Sequence, residues 1–374
     1  MSSETLVKEL EDKVEKVHTQ SLDLSFNELL DMYVDGELDI NPDYQRLFRW
    51  SEGARSRFIE SLLLEMPVPP IYVVEDENGS YQLIDGLQRF SSYLHLRGKL
   101  AAPHLQNAVA EGDYLTLQEC DIVKELNGLT YDDLPLSLKI RLKRAFVRVE
   151  VVRKGSDNKF RYHMFKRLNT GGEELTPQQL RNCTIRMLSP VFIDFVIEKS
   201  NFQSFVNCID SISEAQKLGS FNQELVLRFF ALKNAREQFV HDISDFLTEY
   251  MESVSDPEKD IVFNFELESR IFEKTFIVLD KVLGEKVFGR WGKNGPQSNF
   301  MIYQFESICI GIQRIINSID ENNNSHIKKI KDALIELKQD PDFIAQTTGG
   351  GKNSKGALNR RIEVVENKMA TITL

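Results

Sequence analysis

Apolar and polar positions along this chain mix helical and strand periods in the first half and keep long helical periods in the second. Residues 26–33 and 52–66 carry apolar side chains at helical spacing, and a serine placed to cap the helix, Ser25 or Ser51, precedes each run. Ser25-Phe-Asn-Glu28 reads as a capping box that opens a helix through Tyr33. In the second run Phe58, Leu62 and Met66 recur every four residues, and Pro67-Val-Pro-Pro70 stops it. Residues 71–75 and 81–84 then read as two strands of a hairpin joined through Asp76-Glu-Asn-Gly79. The second strand turns directly into a helix at Asp85-Gly86, because Phe90, Tyr93 and Leu94 return at helical spacing.

Residues 101–144 mix weak helices with a strand-like piece over 114–117, and 145–152 alternate as a strand. A helix over 160–168, the turn Asn169-Thr-Gly-Gly172 and a helix opened by Thr176-Pro177 follow. From Pro190 onward long helical periodicities take over, at 225–230, 261–283, 300–319 and 327–337. Gly349-Gly-Gly-Lys-Asn-Ser354 breaks the pattern before a last helix ending near Met369. The fold class is therefore α+β, with a small mixed sheet in the first domain and an all-α second domain. The domains predicted are an acidic leader over 1–20, partly disordered or helical, a first domain over 21–188 and a helical domain over 189–374.

Composition adds two constraints. With 374 residues, 41% hydrophobic and 28% charged, the chain has material for two cores, and no apolar run is long enough to cross a bilayer, so a cytoplasmic location with no membrane partner is expected. The four cysteines, Cys120, Cys183, Cys208 and Cys309, lie too far apart for a zinc site or a disulfide framework and read as reduced, mostly buried thiols. Net charge is −11, but it is uneven. Residues 1–40 hold eleven acids against three lysines, whereas 139–186 hold thirteen Lys or Arg against four acids. That basic stretch is the one region suited to a polyanion such as DNA or RNA.

Enzyme signatures mostly exclude. Gly351-Lys352 is followed by Asn, without the upstream glycine of a P-loop, and the six histidines are isolated, which removes Walker-type NTPases and zinc or His-metal nuclease centres. His163 and Cys183 read as structural rather than catalytic. What remains is the turn Asp85-Gly86-Leu87-Gln88-Arg89. A glycine at a strand-to-helix junction lets a ligand approach the backbone, and the free N–H groups of a first helical turn favour an anion, most simply phosphate. Two roles are open to Asp85, a helix N-cap or a carboxylate ligand to Mg²⁺. Trp50 has two as well, stacking on a base or packing in the core.

Three segments in order, Asn41-Pro-Asp-Tyr-Gln-Arg46 with Trp50, residues 59–72 and Leu83-Ile-Asp-Gly-Leu-Gln-Arg-Phe90, resemble the N-terminal domain of GmrSD-type modification-dependent restriction enzymes. Residues 165–182, Phe-Lys-Arg-Leu-Asn-Thr-Gly-Gly-Glu-Glu-Leu-Thr-Pro-Gln-Gln-Leu-Arg-Asn, resemble its second signature, and 225–231 its helical part. The family is similar to ParB and sulfiredoxin proteins, in which the equivalent turn binds nucleotide phosphates. The resemblance implies nucleoside triphosphate binding and, in some members, hydrolysis tied to phage defence.

Its Asp-Gly-Gln-Gln-Arg motif falls on Asp85 to Arg89, with Leu87 in place of the first Gln. It assigns catalysis to Asp85, Gln88 and Arg89, and phosphate or nucleotide contacts to Gln45, Arg46, Arg49, Gly86, Leu87, Asn169, Gly171, Gly172 and Arg181. The family's His-Asn-His-like nuclease domain has no counterpart in these 374 residues. A separate nuclease or methyltransferase subunit is the partner this implies, and homodimerisation is left open. The alternatives to a nucleotide module are a non-catalytic DNA- or RNA-binding regulator using 139–186 and a pseudo-enzyme scaffold that binds a partner protein.

Overall fold

The computed structural model describes residues 18–40, 50–76, 78–101, 109–154, 156, 164, 176–186, 188–240, 242–256, 259 and 261–374. The chain divides into two compact units, Met1–Glu174 and Leu175–Leu374.

The first unit contains strands β1 (Thr19–Ser25), β2 (Leu38–Asp39), β3 (Ile71–Glu75), β4 (Tyr81–Asp85) and β5 (Phe146–Val152). Its helices are α1 (Phe26–Val34), α2 (Glu52–Leu63), α3 (Leu87–Leu96) and α4 (Leu136–Arg144). The strands form one mixed sheet in the order β1-β5-β3-β4-β2. β3 lies at its centre, antiparallel to β4 and parallel to β5 with Ile71 opposite Val149. Alternation on β5 sends Val147, Val149 and Val151 into the core and leaves Phe146 and Arg148 exposed. Against that buried face pack Phe26, Leu29, Phe58, Ile59, Leu62, Phe90, Tyr93 and Leu94 from the first three helices. Phe26 sits at the junction, 5.8 Å from the Phe58 ring and 5.4 Å from that of Tyr93.

The local signals explain most of these elements. Ser25 and Ser51 cap α1 and α2, accepting from the N–H groups of Glu28 and Ala54. Asp76 closes the β3–β4 hairpin by accepting from the N–H groups of Asn78 and Ser80.

Three expectations need correction. β1 begins inside the stretch assigned to the leader, because pairing with β5 over its whole length orders a half-polar edge strand. Residues 114–117 form no strand; Leu115 and Leu117 are buried, but their N–H groups reach the carbonyls of His95 and Leu129 rather than a sheet. α2 ends at Leu63, and Met66 lies beyond it, 41% exposed, after Glu65 at φ +57°. The helix expected over 160–168 and the Asn169–Gly172 turn lie outside the described residues.

The second unit is built from α5 (Pro177–Arg186), α6 (Pro190–Ser200), α7 (Gln203–Cys208), α8 (Glu214–Leu218), α9 (Phe221–Ala235), α10 (Ile243–Ser255), α11 (Phe265–Leu283), α12 (Ile302–Gly311), α13 (Asn324–Gln339), α14 (Pro341–Thr347) and α15 (Lys355–Ala370). It is not entirely helical. Trp291–Gly292 and Gly295–Pro296 pair as a two-stranded ribbon, which Gly295 at φ +117° allows to reverse tightly. Phenylalanines dominate the core: Phe230 and Phe272 are stacked at 5.5 Å, and Phe205 meets Phe276 edge-on at 4.9 Å.

Through this core runs a chain of alternating charges. Arg181 pairs with Glu224 at 2.9 Å, Glu224 with Arg228 at 2.8 Å, Arg228 with Glu306 at 2.6 Å, and Glu306 with Arg361. Glu306 is 2% exposed. Cys120, Cys208 and Cys309 are free and buried, and burial raises all three thiols, that of Cys120 to about 11. Among the described residues, no helix is long and apolar enough to cross a membrane.

Candidate functional site

β4 delivers the chain to Asp85, Gly86 adopts φ +106°, and α3 starts at Leu87. Only glycine fits here: a Cβ would lie in the left-handed region and 2.7 Å from the Cγ1 of Ile71, itself buried on β3. Gly86 is therefore the N-cap, and the helix has no hydrogen bond from an N-cap side chain. This corrects the N-cap role considered for Asp85, because the left-handed glycine turns the aspartate away from the first-turn N–H groups. The Asp85 carboxylate instead accepts from Arg89 Nη2 at 2.8 Å.

Arg89 is largely enclosed, with its side chain 12% exposed against 40% for Asp85. Its Nη1 donates to the Pro69 carbonyl at 2.7 Å, so one guanidinium ties the proline loop before β3 to the end of β4 and the first turn of α3. Gln88 Oε1 accepts from the Trp50 N–H at 3.2 Å. The end of the 41–50 motif is thereby joined to the Asp-Gly turn, although Gln45, Arg46 and Arg49 themselves lie outside the described residues. Trp50 packs partly buried with its ring 5.8 Å from that of Phe58. Leu87 is half-buried and rests against the same core.

A second pair of buried polar side chains stands behind Trp50. Arg55, 6% exposed, donates from Nε to the Trp50 carbonyl at 3.0 Å, and its Nη1 lies 3.0 Å from His95 Nδ1. Burial lowers the arginine to about 10. Burial, with Arg55 next, brings His95 down to about 4. Helical periodicity places Arg55 on α2 and His95 on α3 without any sign that they meet, since forty residues separate them.

Arg181, expected near the phosphates, lies in the second unit at 2% exposure. Besides Glu224, it donates to Gln178 Oε1 at 2.9 Å and to the Ser244 carbonyl at 3.3 Å, and burial lowers it to about 10. Its neighbours in the signature are similarly engaged: Thr176 donates to the Gly219 carbonyl, and Gln179 to that of Leu218. Asn169, Gly171 and Gly172 are outside the described residues. Among the described residues no cluster of three or more His, Cys, Asp or Glu is arranged to hold a metal.

A groove of about 820 Å³ opens elsewhere on the first unit. Met66, Val68, Ile140 and Phe146 give it apolar walls, and Arg141, Arg144 and Arg148 stand around it with Asp23 and Glu65. Phe146 is 68% exposed. Arg148 pairs with Asp23 at 3.1 Å and Arg141 with Glu65 at 3.5 Å, so two of the three arginines around the groove have a carboxylate beside them.

The first unit is thus an α+β domain with an uncapped, glycine-led strand-to-helix turn braced by an arginine–carboxylate pair. Residues 26–186 match the family model described as the GmrSD restriction endonuclease, N-terminal domain. The match crosses the unit boundary and ends with α5. No curated protein matches the chain, and no solved structure does.

Proposed function

We propose that the turn from Asp85 to Arg89 binds the phosphates of a nucleoside triphosphate, and that the chain serves a restriction-type defence system. One observation carries the reading: α3 begins behind Gly86, an N-cap residue with no side chain of its own to occupy the helix N-terminus. The N–H groups of a first helical turn have no partners within the helix, and the helix dipole favours an anion beside them. Arg89 and Asp85 hold the turn's shape, and Gln88 links it to Trp50 and so to the segment carrying Gln45, Arg46 and Arg49. The family description supports the restriction setting.

Asp85 also suits Mg²⁺. Its carboxylate is 40% exposed, and Mg²⁺ typically takes one or two carboxylates together with substrate phosphates rather than a closed cage of side chains. When bound, the ion neutralises phosphate charge. Slow hydrolysis of the terminal phosphoanhydride, with water as nucleophile and Gln88 oriented near it, is the activity this arrangement suits. The half-buried packing of Leu87 against the core favours a role in supporting α3. A separate nuclease or methyltransferase would be the effector.

A ligand that binds only the native state at a hundred times its Kd adds about 2.7 kcal/mol of stability. Thermal melts with each of the four nucleotides and Mg²⁺ should show a raised Tm with at least one, and phosphate release measured on the same samples separates an enzyme from a binder. An unchanged Tm with all four removes the reading.

A second reading, contact with a nucleic-acid strand, is favoured by the groove, where exposed Phe146 offers a stacking surface beside Arg144. Labelled single-stranded DNA and RNA should then bind at low salt, with affinity falling steeply as salt rises and Arg144→Glu weakening it about tenfold. Absence of binding at low salt dismisses it.

A further inference from the structure

We infer that Arg55 and His95 form a positioning clamp that fixes Trp50 against Gln88 and so sets the geometry of the phosphate turn; this rests on the nucleotide reading above. Both polar groups of the Trp50 main chain are held by side chains from different helices. Its N–H donates to Gln88 Oε1 at 3.2 Å, and its carbonyl accepts from Arg55 Nε at 3.0 Å. Gln88 belongs to the first turn of α3, His95 to its last, and Arg55 to α2. The clamp therefore ties one residue, through the peptide groups on either side of its Cα, to both ends of α3.

The direction of the inner hydrogen bond follows from chemistry. A guanidinium has only donors, so His95 Nδ1 must accept, and the ring is neutral with its proton on Nε2. The charged groups acting on the ring are Arg55, which disfavours its protonation, and Asp113, which favours it. Both clamp residues are buried, at 6% and 5% exposure, so neither has a solvation role at the surface. A buried guanidinium needs well-placed acceptors, and the Trp50 carbonyl and a neutral imidazole are two of them here. Protonating His95 would remove one acceptor and place a second positive charge beside the first. Clamp geometry is therefore expected to survive through neutral pH and fail in acid.

The test compares His95→Leu, which removes the acceptor, with His95→Asn, whose Oδ1 stands where Nδ1 stood and cannot be protonated in this range. Two readouts are taken at a temperature where far-UV circular dichroism shows each protein folded. The first is acrylamide quenching of Trp50 in a Trp291→Phe background, which leaves Trp50 as the single tryptophan. The second is the Kd of whichever Mg²⁺-nucleotide stabilises the wild type. His95→Leu should make Trp50 more quenchable and weaken nucleotide binding about tenfold, whereas His95→Asn should match the wild type in both. On lowering the pH toward 4, the wild type should lose affinity more steeply than His95→Asn.

Wild-type quenching and Kd in His95→Leu would overturn the clamp. Weakening in His95→Asn equal to that in His95→Leu would also overturn it, by reducing the histidine to a packing role. A wild type that binds no nucleotide overturns the nucleotide reading instead, and the quenching arm alone then decides whether Trp50 is clamped.

Discussion

Glu306→Ala is expected to destabilise the helical unit by about 3–5 kcal/mol, the cost of leaving buried charges without their partner. Glu306 holds Arg228 at 2.6 Å and also Arg361, and the three side chains are 2%, 11% and 3% exposed. Arg228 would keep Glu224, but Arg361 would lose the Glu306 carboxylate, and two guanidinium groups would face one buried site. Urea unfolding followed by circular dichroism measures the change. A loss under about 1 kcal/mol, the range of an exposed ion pair, would mean that the chain of charges is solvated in solution and not the internal frame described here. The frame begins at Arg181, on the helix that closes the family signature, so the variant also tests whether that signature has a structural end.

Gly86→Ala is expected to do two things together. The backbone at φ +106° and the 2.7 Å approach of the new Cβ to Ile71 Cγ1 both oppose it. Strain of this kind costs about 1–3 kcal/mol before any repacking of the core around Ile71. Gly36→Ala is the control: its φ is +77°, but nothing lies within 4 Å of its Cβ position, so it carries the strain without the clash. Gly86→Ala should lose more stability than Gly36→Ala and should also lose nucleotide-dependent stabilisation, which Gly36→Ala should retain. Equal losses with binding intact in both would show that close approach at Gly86 serves neither packing nor ligand.

Much of the first unit could be read from local chemistry. Ser25, Ser51 and the Asp76 turn act within four residues of themselves, and the structure uses each where the sequence places it. Alternation identified β5 because both its neighbours depend on its buried valines. β1 escaped notice for the opposite reason: only Leu22 and Leu24 face inward, and its order comes from a partner more than a hundred residues away. At the candidate site, residue type gave the turn but not its geometry. Asp85 looks like a cap in sequence because aspartate is among the residues favoured at N-caps, and only the φ of Gly86 shows that the cap has moved on by one residue. The contacts of Arg89 with Pro69, and of Arg55 with His95, join segments that no periodicity connects. Arg181 reads as an anion ligand while its partners are unknown, and Glu224, Gln178 and Ser244 then engage its three nitrogens.

The central claim is that the Asp85–Arg89 turn binds nucleotide phosphates, and isothermal titration of the wild type and of Arg89→Ala with Mg²⁺-nucleotides tests it most directly. The account predicts saturable binding of at least one nucleoside triphosphate by the wild type. Arg89→Ala, which frees both Asp85 and the Pro69 loop, should lose at least about tenfold in affinity while remaining folded. Binding of equal strength in the two proteins would contradict it, as would the absence of heat with every nucleotide.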